Sequence, residues 1–179
     1  MGKLLDLAKP DLSVMTDEEK LMSALSLHNT RHILYPPFLK RADDLPNLQW
    51  NKVPFCKASR ARVPREKGVY AFVLEFSHNF LPNSSHVLYI GKGGDITSKN
   101  NLWKRYYDYM RTEKKNDRPR IHEMLCQWKG HLTYYYATVD QGVSTGTVEE
   151  TLLDVLIPPY NRGDFSAELT DLLKGANIL

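Results

Sequence analysis

The chain is poor in cysteine and has no long apolar segment. Only two of its 179 residues are cysteines, Cys56 and Cys126, and neither belongs to a CxxC pair or to a zinc-type pattern of cysteine and histidine. No apolar run approaches the roughly 20 residues that span a membrane, and the N-terminus lacks the apolar stretch of a signal peptide. We therefore expect reduced thiols in a cytoplasmic protein that has no membrane partner.

Two common kinds of site are also missing from the sequence. The glycine cluster at residues 91–94 is not a P-loop, because the pattern GxxxxGK[ST] does not occur. The histidines considered as metal ligands share no metal-binding spacing; they are His78, His86, His122 and His131. A P-loop nucleotide site and a histidine-based metal centre are therefore not expected.

Positive charge is concentrated in two segments, although the whole chain carries a net charge of only +3. Residues 52–67 contain six basic residues and one acidic residue, so their net charge is +5. Residues 92–120 contain nine basic and four acidic residues, which again gives +5, and the remainder of the chain is therefore at −7. This asymmetry indicates a surface that binds a polyanion such as a nucleic acid.

The residue pattern predicts three strands and several helices. β-branched and aromatic residues predict strands at 68–76, 86–91 and 131–140. Capping residues before apolar stretches predict helices at 16–28, 102–112, 119–128 and 145–157, and a short helix after Ser166. The resulting order predicts an α+β fold in which a small three-stranded antiparallel sheet is flanked by helices.

The chain is expected to consist of a core with an extension at each end. Residues 1–66 form a helical and irregular N-terminal extension, because residues 35–66 contain five prolines. Residues 67–165 form the core, and residues 166–179 form a C-terminal tail helix.

Two tyrosine-containing triplets mark the first two predicted strands. Gly68-Val69-Tyr70 opens one strand and Tyr89-Ile90-Gly91 closes the next, so pairing of the strands would bring the two phenols together. The chain resembles the GIY-YIG nucleases, in which such triplets precede a helix like NLWKRYYDY, an acidic helix and a segment like PPYN. The likeness covers roughly residues 67–162, and five elements in the same order make it specific. The 19 positions between Tyr70 and Tyr89 are about twice the spacing in compact members, which predicts a lengthened loop within residues 75–86.

The resemblance is closest to the nuclease half of the bacterial excision-repair incision subunit, and it implies roles for several residues. Lys92 follows the second triplet and supplies positive charge, while Arg105 clamps the phosphoryl oxygens. Tyr109 lies four positions after Arg105, so both side chains share one helix face. The resemblance favours Tyr70 as the general base, with Tyr89 orienting water or phosphate, but the residues by themselves leave both phenols open. The neighbouring glycines are expected to let the DNA backbone approach closely.

The resemblance implies one acidic metal ligand, and either Glu149 or Glu150 could be that residue. Glu149 shares a helix stripe with leucines three, four and seven positions later, where a carboxylate costs desolvation energy unless it has a partner. Glu150 shares its face with Asp154, and we expect both to face solvent. In the resembled family the acidic residue precedes an asparagine by 12 positions, as Glu149 precedes Asn161. We therefore predict Glu149 as the metal ligand and Asn161 as a residue that orders the site.

The function implied by the resemblance is hydrolysis of phosphodiester bonds in double-stranded DNA. A single carboxylate suits Mg²⁺, or Mn²⁺, that keeps several waters. A short nuclease with an N-terminal extension is similar to the restriction enzymes of the family, in which a homodimer and a DNA-contacting or dimerising arm at residues 1–66 are expected. The residues expected to contact DNA are Arg60, Arg62, Lys104, Arg111, Lys114, Lys115 and Arg118.

Three alternatives stay open at this point. The chain could be a homing or repair nuclease, a catalytically inactive nucleic-acid-binding module on the same fold, or a domain that binds a small molecule or a protein. The joint presence of both tyrosine triplets, Arg105, Glu149 and Asn161 argues against the inactive module. The two basic segments argue against the third reading.

Overall fold

The computed structural model describes residues 15–76, 83–96, 100–115 and 118–177, except for the side chains of Ala24 and Leu27. The chain divides between Thr30 and Arg31 into two units. The described part of the first unit contains helix α1, Asp17–Leu27. Thr16 Oγ1 accepts a hydrogen bond from the Glu19 backbone N–H, and the Glu19 carboxylate accepts one from the Thr16 backbone N–H, at 3.2 and 2.8 Å. The predicted helix and its capping box are confirmed.

The described part of the second unit has four strands and five α-helices. The strands are β1 Asn51–Pro54, β2 Gly68–Phe76, β3 Ser84–Gly93 and β4 Leu132–Thr138. The helices are α2 Pro36–Leu39, α3 Leu102–Lys115, α4 Pro119–Gln127, α5 Thr145–Leu156 and α6 Ala167–Gly175, with two 3₁₀ helices at Lys40–Asp44 and Lys57–Arg62. The predicted α+β class and the predicted order of the main elements are confirmed.

The sheet has four strands, so the prediction of three strands is wrong. All pairs are antiparallel, and the strand order is β1-β4-β2-β3. The additional strand β1 lies in the proline-rich segment that was expected to be mostly irregular. Pro54 is compatible with a strand there because β1 is an edge strand, in which one side of the backbone needs no ladder hydrogen bond. Val53, which is buried, anchors β1 to the core.

The central strand β2 is buried on both sides, and the two faces of the sheet differ in composition. The aliphatic face, defined by Val69, Ala71, Val73 and Ile90, packs against α2, α5 and α6. The tyrosine face, defined by Tyr70, Phe72, Tyr89 and Tyr134, packs against α3 and α4. Helices therefore cover both faces, and side chains that alternate along β2 enter two separate cores.

The β2–β3 hairpin contains less loop than the spacing of Tyr70 and Tyr89 suggests. Phe76 pairs with Ser84, so much of the segment predicted as a lengthened loop belongs to the paired strands. The register shifts between Phe72 and Val73, which marks a β-bulge. Residues 77–82 of the predicted loop lie outside the described residues.

The C-terminal helix follows the prediction. The Ser166 side chain caps α6 by accepting a hydrogen bond from the Leu169 backbone N–H at 3.3 Å.

Among the described residues, no helix combines the length and apolar character that crossing a membrane requires.

Candidate active site

The two triplet tyrosines lie close together on the tyrosine face, as the pairing of their strands predicts. Tyr89 stands opposite Phe72 and Tyr70 stands opposite Gly91, so the two tyrosines are diagonal neighbours with ring centroids 6.5 Å apart. Tyr109 of α3 joins them, and its hydroxyl lies 2.7 Å from the Tyr70 hydroxyl in a buried hydrogen bond. The structure therefore brings these three predicted site residues into one cluster.

Burial keeps the phenols of this cluster neutral. Desolvation is the largest cause that raises the pKa of Tyr70, Tyr89 and Tyr109 above the usual value of a phenol. Two arginines act in the opposite direction: Arg105 lowers the pKa of Tyr70, and Arg118 lowers that of Tyr89. Neither offsets the effect of burial, so a phenolate in this cluster requires additional positive charge.

Lys92 pairs with Glu149 rather than with a phenol. Lys92 stands opposite Val69, which places it toward the aliphatic face, whereas Tyr89 lies an odd number of positions away and points to the other face. The Lys92 Nζ atom lies 3.0 Å from Glu149 Oε2. The positive charge expected from Lys92 therefore lies beside Glu149, because strand alternation directs Lys92 and Tyr89 to opposite faces of the sheet.

The helix-stripe argument for the acidic residue is confirmed as far as placement is concerned. Glu149 is buried and Glu150 is exposed. Burial, only partly offset by Lys92, raises the pKa of Glu149 above its usual value. The expectation that Asp154 faces solvent is wrong: it is 2% exposed and forms an ion pair with Arg41, which compensates its burial.

Arg105 lies near both the tyrosine cluster and the Lys92–Glu149 pair. Its Nε donates a hydrogen bond to the Lys92 carbonyl oxygen at 3.2 Å, which ties α3 to the end of β3. Its charge lowers the pKa of both Tyr70 and Glu149. Arg105 therefore connects groups that enter the site from opposite faces of the sheet.

The glycines around Lys92 make room for this protein's own groups rather than for DNA. A Cβ atom on Gly91 would lie 2.3 Å from the Tyr70 hydroxyl oxygen, so only glycine leaves space for that phenol. A Cβ on Gly93 would lie 2.6 Å from the Leu102 backbone nitrogen at the start of α3. The expectation that these glycines admit a DNA backbone is thus replaced by an internal packing role.

Asn161 supports the site through the backbone of β3. Its side-chain amide donates to the Ile90 carbonyl oxygen and accepts from the Ile90 N–H, both at 2.9 Å. The neighbouring Tyr160 N–H donates to the Leu88 carbonyl oxygen at 3.0 Å. Because β3 is an edge strand, these bonds satisfy backbone groups on its open side and hold residues 158–164 beside Tyr89.

A cleft of about 320 Å³ opens next to the tyrosine cluster. Tyr89, the first turn of α4 and the segment after Asn161 line it, and its charged lining residues are Arg118, Arg120, Arg162 and Asp164. Tyr70 is 1% exposed and does not line this cleft, so Tyr89 is the triplet tyrosine that reaches it. Arg120 and Arg162 were not predicted as site residues; their only signal in the sequence is their closeness to Arg118 and Asn161.

Asp95 also supports the site without having been predicted. Its carboxylate accepts hydrogen bonds from the backbone N–H groups of Thr145 and Gly146, at 3.2 and 3.1 Å, and so stabilises the N-terminus of α5. Ser144 is the N-cap of that helix, and its side chain accepts a hydrogen bond from the Thr147 backbone N–H. These contacts orient the helix that carries Glu149.

The residues predicted to contact DNA do not form a single group. Arg118 lines the cleft, whereas the guanidinium carbon of Arg60 lies 3.4 Å from the Trp103 ring centroid and 4.2 Å from that of Tyr107. Arg62 donates to the Ser59 hydroxyl at 2.8 Å. The remaining ones, all exposed on α3, are Lys104, Arg111, Lys114 and Lys115.

The carboxylates near the site fit a metal ion held largely by water. No group of three or more histidine, cysteine, aspartate or glutamate side chains suited to a metal occurs among the described residues. Glu149 offers a buried carboxylate, and the charge of Asp164 acts on both it and Lys92. One carboxylate with a second acidic group nearby suits Mg²⁺, which keeps several waters, and does not suit a site built only of protein ligands.

Comparisons of the chain with protein-family models, with curated proteins and with solved structures gave no significant match.

Proposed function

We propose that this protein is a metal-dependent endonuclease of the GIY-YIG type that hydrolyses phosphodiester bonds in double-stranded DNA. The proposal is supported by the positions of Tyr70, Tyr89, Arg105 and Glu149. The paired strands β2 and β3 carry the two tyrosines, and helices α3 and α5 carry Arg105 and Glu149 to the same region.

One observation carries the proposal: Arg105 is held at the end of β3 by its hydrogen bond to the Lys92 carbonyl oxygen at 3.2 Å, where its charge acts on both a buried phenol and a buried carboxylate. Phosphodiester hydrolysis requires a group that accepts a proton from water, a cation that stabilises charge on the phosphoryl oxygens, and a ligand for a divalent ion. The tyrosine cluster, Arg105 and Glu149 offer these three kinds of group side by side. Packing of the core alone does not require an arginine near both the tyrosine cluster and Glu149.

The residues would divide the chemistry as follows. Glu149 would hold Mg²⁺ or Mn²⁺, which when bound supplies Lewis acidity at the phosphate. Arg105 would bind the phosphoryl oxygens through charge-assisted hydrogen bonds. Lys92, whose side chain is 39% exposed, favours the ionised form of Glu149 by pairing with it. Asn161 fixes the edge of β3 and thereby the ring of Tyr89.

Tyr89 is the phenol best placed to contact the substrate, because it lines the cleft. A general base must come within hydrogen-bond reach of the water from which it takes a proton. Tyr70 would act behind it through Tyr109, whose hydroxyl it contacts. This assignment reverses the roles implied by the family resemblance, so the two phenols need a direct experimental comparison.

The biological role proposed for the enzyme is restriction. The two basic segments support a protein that binds duplex DNA, with a homodimer as the form that cuts both strands. Homing and repair roles use the same chemistry on other targets.

Plasmid cleavage tests the proposed function. Supercoiled plasmid DNA would be incubated with the protein in the presence of Mg²⁺, Mn²⁺ or EDTA, and conversion to nicked and linear forms would be followed on gels. We expect cleavage with either metal ion and none with EDTA. DNA binding without cleavage would identify the inactive binding module instead, and absence of both binding and cleavage would refute a nucleic-acid role.

A further inference from the structure

We infer that the cleft lined by Arg118, Arg120 and Arg162 is a second phosphate site, which binds the DNA backbone beside the phosphate that is cut. This inference rests on the proposed function for the identity of the ligand. It adds two arginines, Arg120 and Arg162, to the residues expected to contact DNA.

The charge of the cleft selects an anion. Three arginines and Asp164 line it, which gives the lining a net charge of +2. None of these three arginines forms an ion pair with a carboxylate among the described residues, although Glu123 lies near enough to act on Arg120. Arginine side chains that face a shared space without acidic partners bind phosphate well, because the guanidinium group offers paired donors.

Arg120 and Arg162 also repel each other. The charge of Arg162 adds to burial in lowering the pKa of Arg120. The Arg120 Nη1 atom is buried and has no hydrogen-bond partner among the residues that the structure describes. A phosphate group in the cleft would relieve the repulsion and provide acceptors for the guanidinium donors.

The walls of the cleft are held in place before any ligand binds. Arg120 Nη2 donates to the Pro159 carbonyl oxygen at 3.1 Å, and the Tyr160 hydroxyl donates to Gln127 Oε1 at 2.8 Å. Together with the bonds of Asn161 to Ile90, these contacts join α4 and residues 158–164 to β3. A preformed site loses less conformational entropy when it binds its ligand.

The cleft also lies at the right place relative to the candidate active site. Tyr89 lines the cleft, and the charge of Glu149 acts on Tyr89, so the two regions are adjacent. Successive phosphates of one DNA strand are separated by only about 3.4 Å along the helix axis. Because the two regions are adjacent, a strand whose scissile phosphate lies at Arg105 and Glu149 would bring a neighbouring phosphate of the same strand close to the cleft.

The test is the salt dependence of DNA binding. Binding of the full chain to linear duplex DNA would be measured in EDTA over a series of KCl concentrations for Arg120→Gln, Arg162→Gln and the double variant. Each phosphate contact contributes about −0.9 to the slope of log K against log[salt]. Because the cleft would hold one phosphate, we expect each single variant to lose part of this contribution and the double variant to lose about 0.9 of the slope.

Two sets of controls make the result specific. Lys174→Gln removes the same charge from an exposed residue of α6, a helix that packs against the aliphatic face of the sheet and does not line the cleft. Its slope should equal that of the wild type. Arg120→Lys and Arg162→Lys keep the charge and should keep most of the slope. Melting temperatures would identify a variant that fails to fold; Arg162 is exposed, so its substitution keeps the test valid if Arg120→Gln is unstable.

The outcomes separate this inference from the proposed function. If Arg120→Gln, Arg162→Gln and the double variant all bind with the slope of Lys174→Gln while the wild type cuts plasmid DNA, the cleft is not a phosphate site and the nuclease proposal stands. If the slopes fall as expected but the wild type does not cut with Mg²⁺ or Mn²⁺, the phosphate site stands and the nuclease proposal fails.

Discussion

The two faces of the sheet build their cores in different ways. The aliphatic face buries valine, alanine and isoleucine against α5 and α6, and its ion pair, Lys92–Glu149, lies at the end of β3. The tyrosine face buries a group of aromatic rings that carry hydroxyls, and it hydrogen-bonds some of them to one another. A fully apolar core is stabilised by complementary packing and buried apolar area, whereas a core of buried phenols must also provide hydrogen-bond partners for the hydroxyl groups.

The two faces therefore place their titratable groups differently. On the aliphatic face, the charged pair Lys92–Glu149 lies only where β3 and α5 reach the candidate active site. The tyrosine face instead places titratable groups within its core, at the cost of desolvating them. Substitutions on the two faces should therefore change cleavage, stability and pH dependence in distinguishable ways.

The largest expected effect is on the aliphatic face, at Glu149. Glu149→Gln removes the charge that would hold the metal ion, and we expect it to abolish cleavage while DNA binding in EDTA stays close to that of the wild type. Glu150→Gln is the matched control because Glu150 is the adjacent, exposed residue of the same helix, and it should retain nearly full activity. Single-turnover cleavage of plasmid DNA would measure both. An inactive Glu150→Gln together with an active Glu149→Gln would overturn the assignment.

The next effect concerns the two triplet tyrosines on the other face. Tyr89→Phe removes the hydroxyl that reaches the cleft, and we expect a loss on the order of 10²–10⁴ in the single-turnover rate, the usual range for acid–base catalysis. Tyr70→Phe should lose less, because its hydroxyl acts through Tyr109. A larger loss in Tyr70→Phe than in Tyr89→Phe would assign the general base to Tyr70, as the family resemblance implies.

Alkaline pH should destabilise the tyrosine face selectively. The pKa values of Tyr70, Tyr89 and Tyr109 are raised by burial, and that of Tyr106 is raised to about 12. A phenol with a raised pKa in the folded state stabilises the fold fully below the pKa of the unfolded chain, about 10. This contribution is lost as the pH rises toward the folded-state pKa.

Spectrophotometric titration would measure this behaviour. We expect part of the tyrosine absorbance to change in the normal range and the remainder to change only together with unfolding, as followed by circular dichroism. Reversible ionisation of all ten tyrosines near pH 10 with the fold intact would contradict the buried, neutral cluster.

The smallest effect is expected at Tyr134, within the same aromatic group. Its hydroxyl is buried and has no hydrogen-bond partner among the described residues, while its ring stacks on that of Tyr70 at 5.3 Å between centroids. Tyr134→Phe keeps the ring and removes an unsatisfied polar group, so the free energy of unfolding should rise by about 1 kcal/mol. Urea unfolding of this variant beside Tyr70→Phe, which loses a formed hydrogen bond, would test the contrast. Equal destabilisation of both would show that the Tyr134 hydroxyl has a stabilising partner.

Local patterns in the sequence predicted much of the architecture and part of the site. The capping box at Thr16 and Glu19 identified α1, and strand-forming residues identified β2 within its observed bounds. The leucine stripe correctly separated buried Glu149 from exposed Glu150. These predictions succeeded because each depends on contacts or periodicity within one element.

Other features depend on contacts between distant elements and were missed for that reason. β1 becomes a strand because β4 pairs with it, although its own segment is rich in proline. Asp154 is buried because Arg41, 113 positions earlier, neutralises it. No local sequence pattern near β1 or Asp154 indicates which distant residues contact it.

By itself, the sequence determined the order of the main helices and strands other than β1, the alternation that divides β2 between two cores, and the burial of Glu149, because all of these follow from the spacing of residues along one element. Only the tertiary structure decided that Lys92 pairs with Glu149, that the charge of Arg105 acts on groups from both faces, and that Arg118, Arg120 and Arg162 share a cleft. Such groupings arise from strand register and from the docking of α4 and residues 158–164 against β3, which involve residues far apart in the chain.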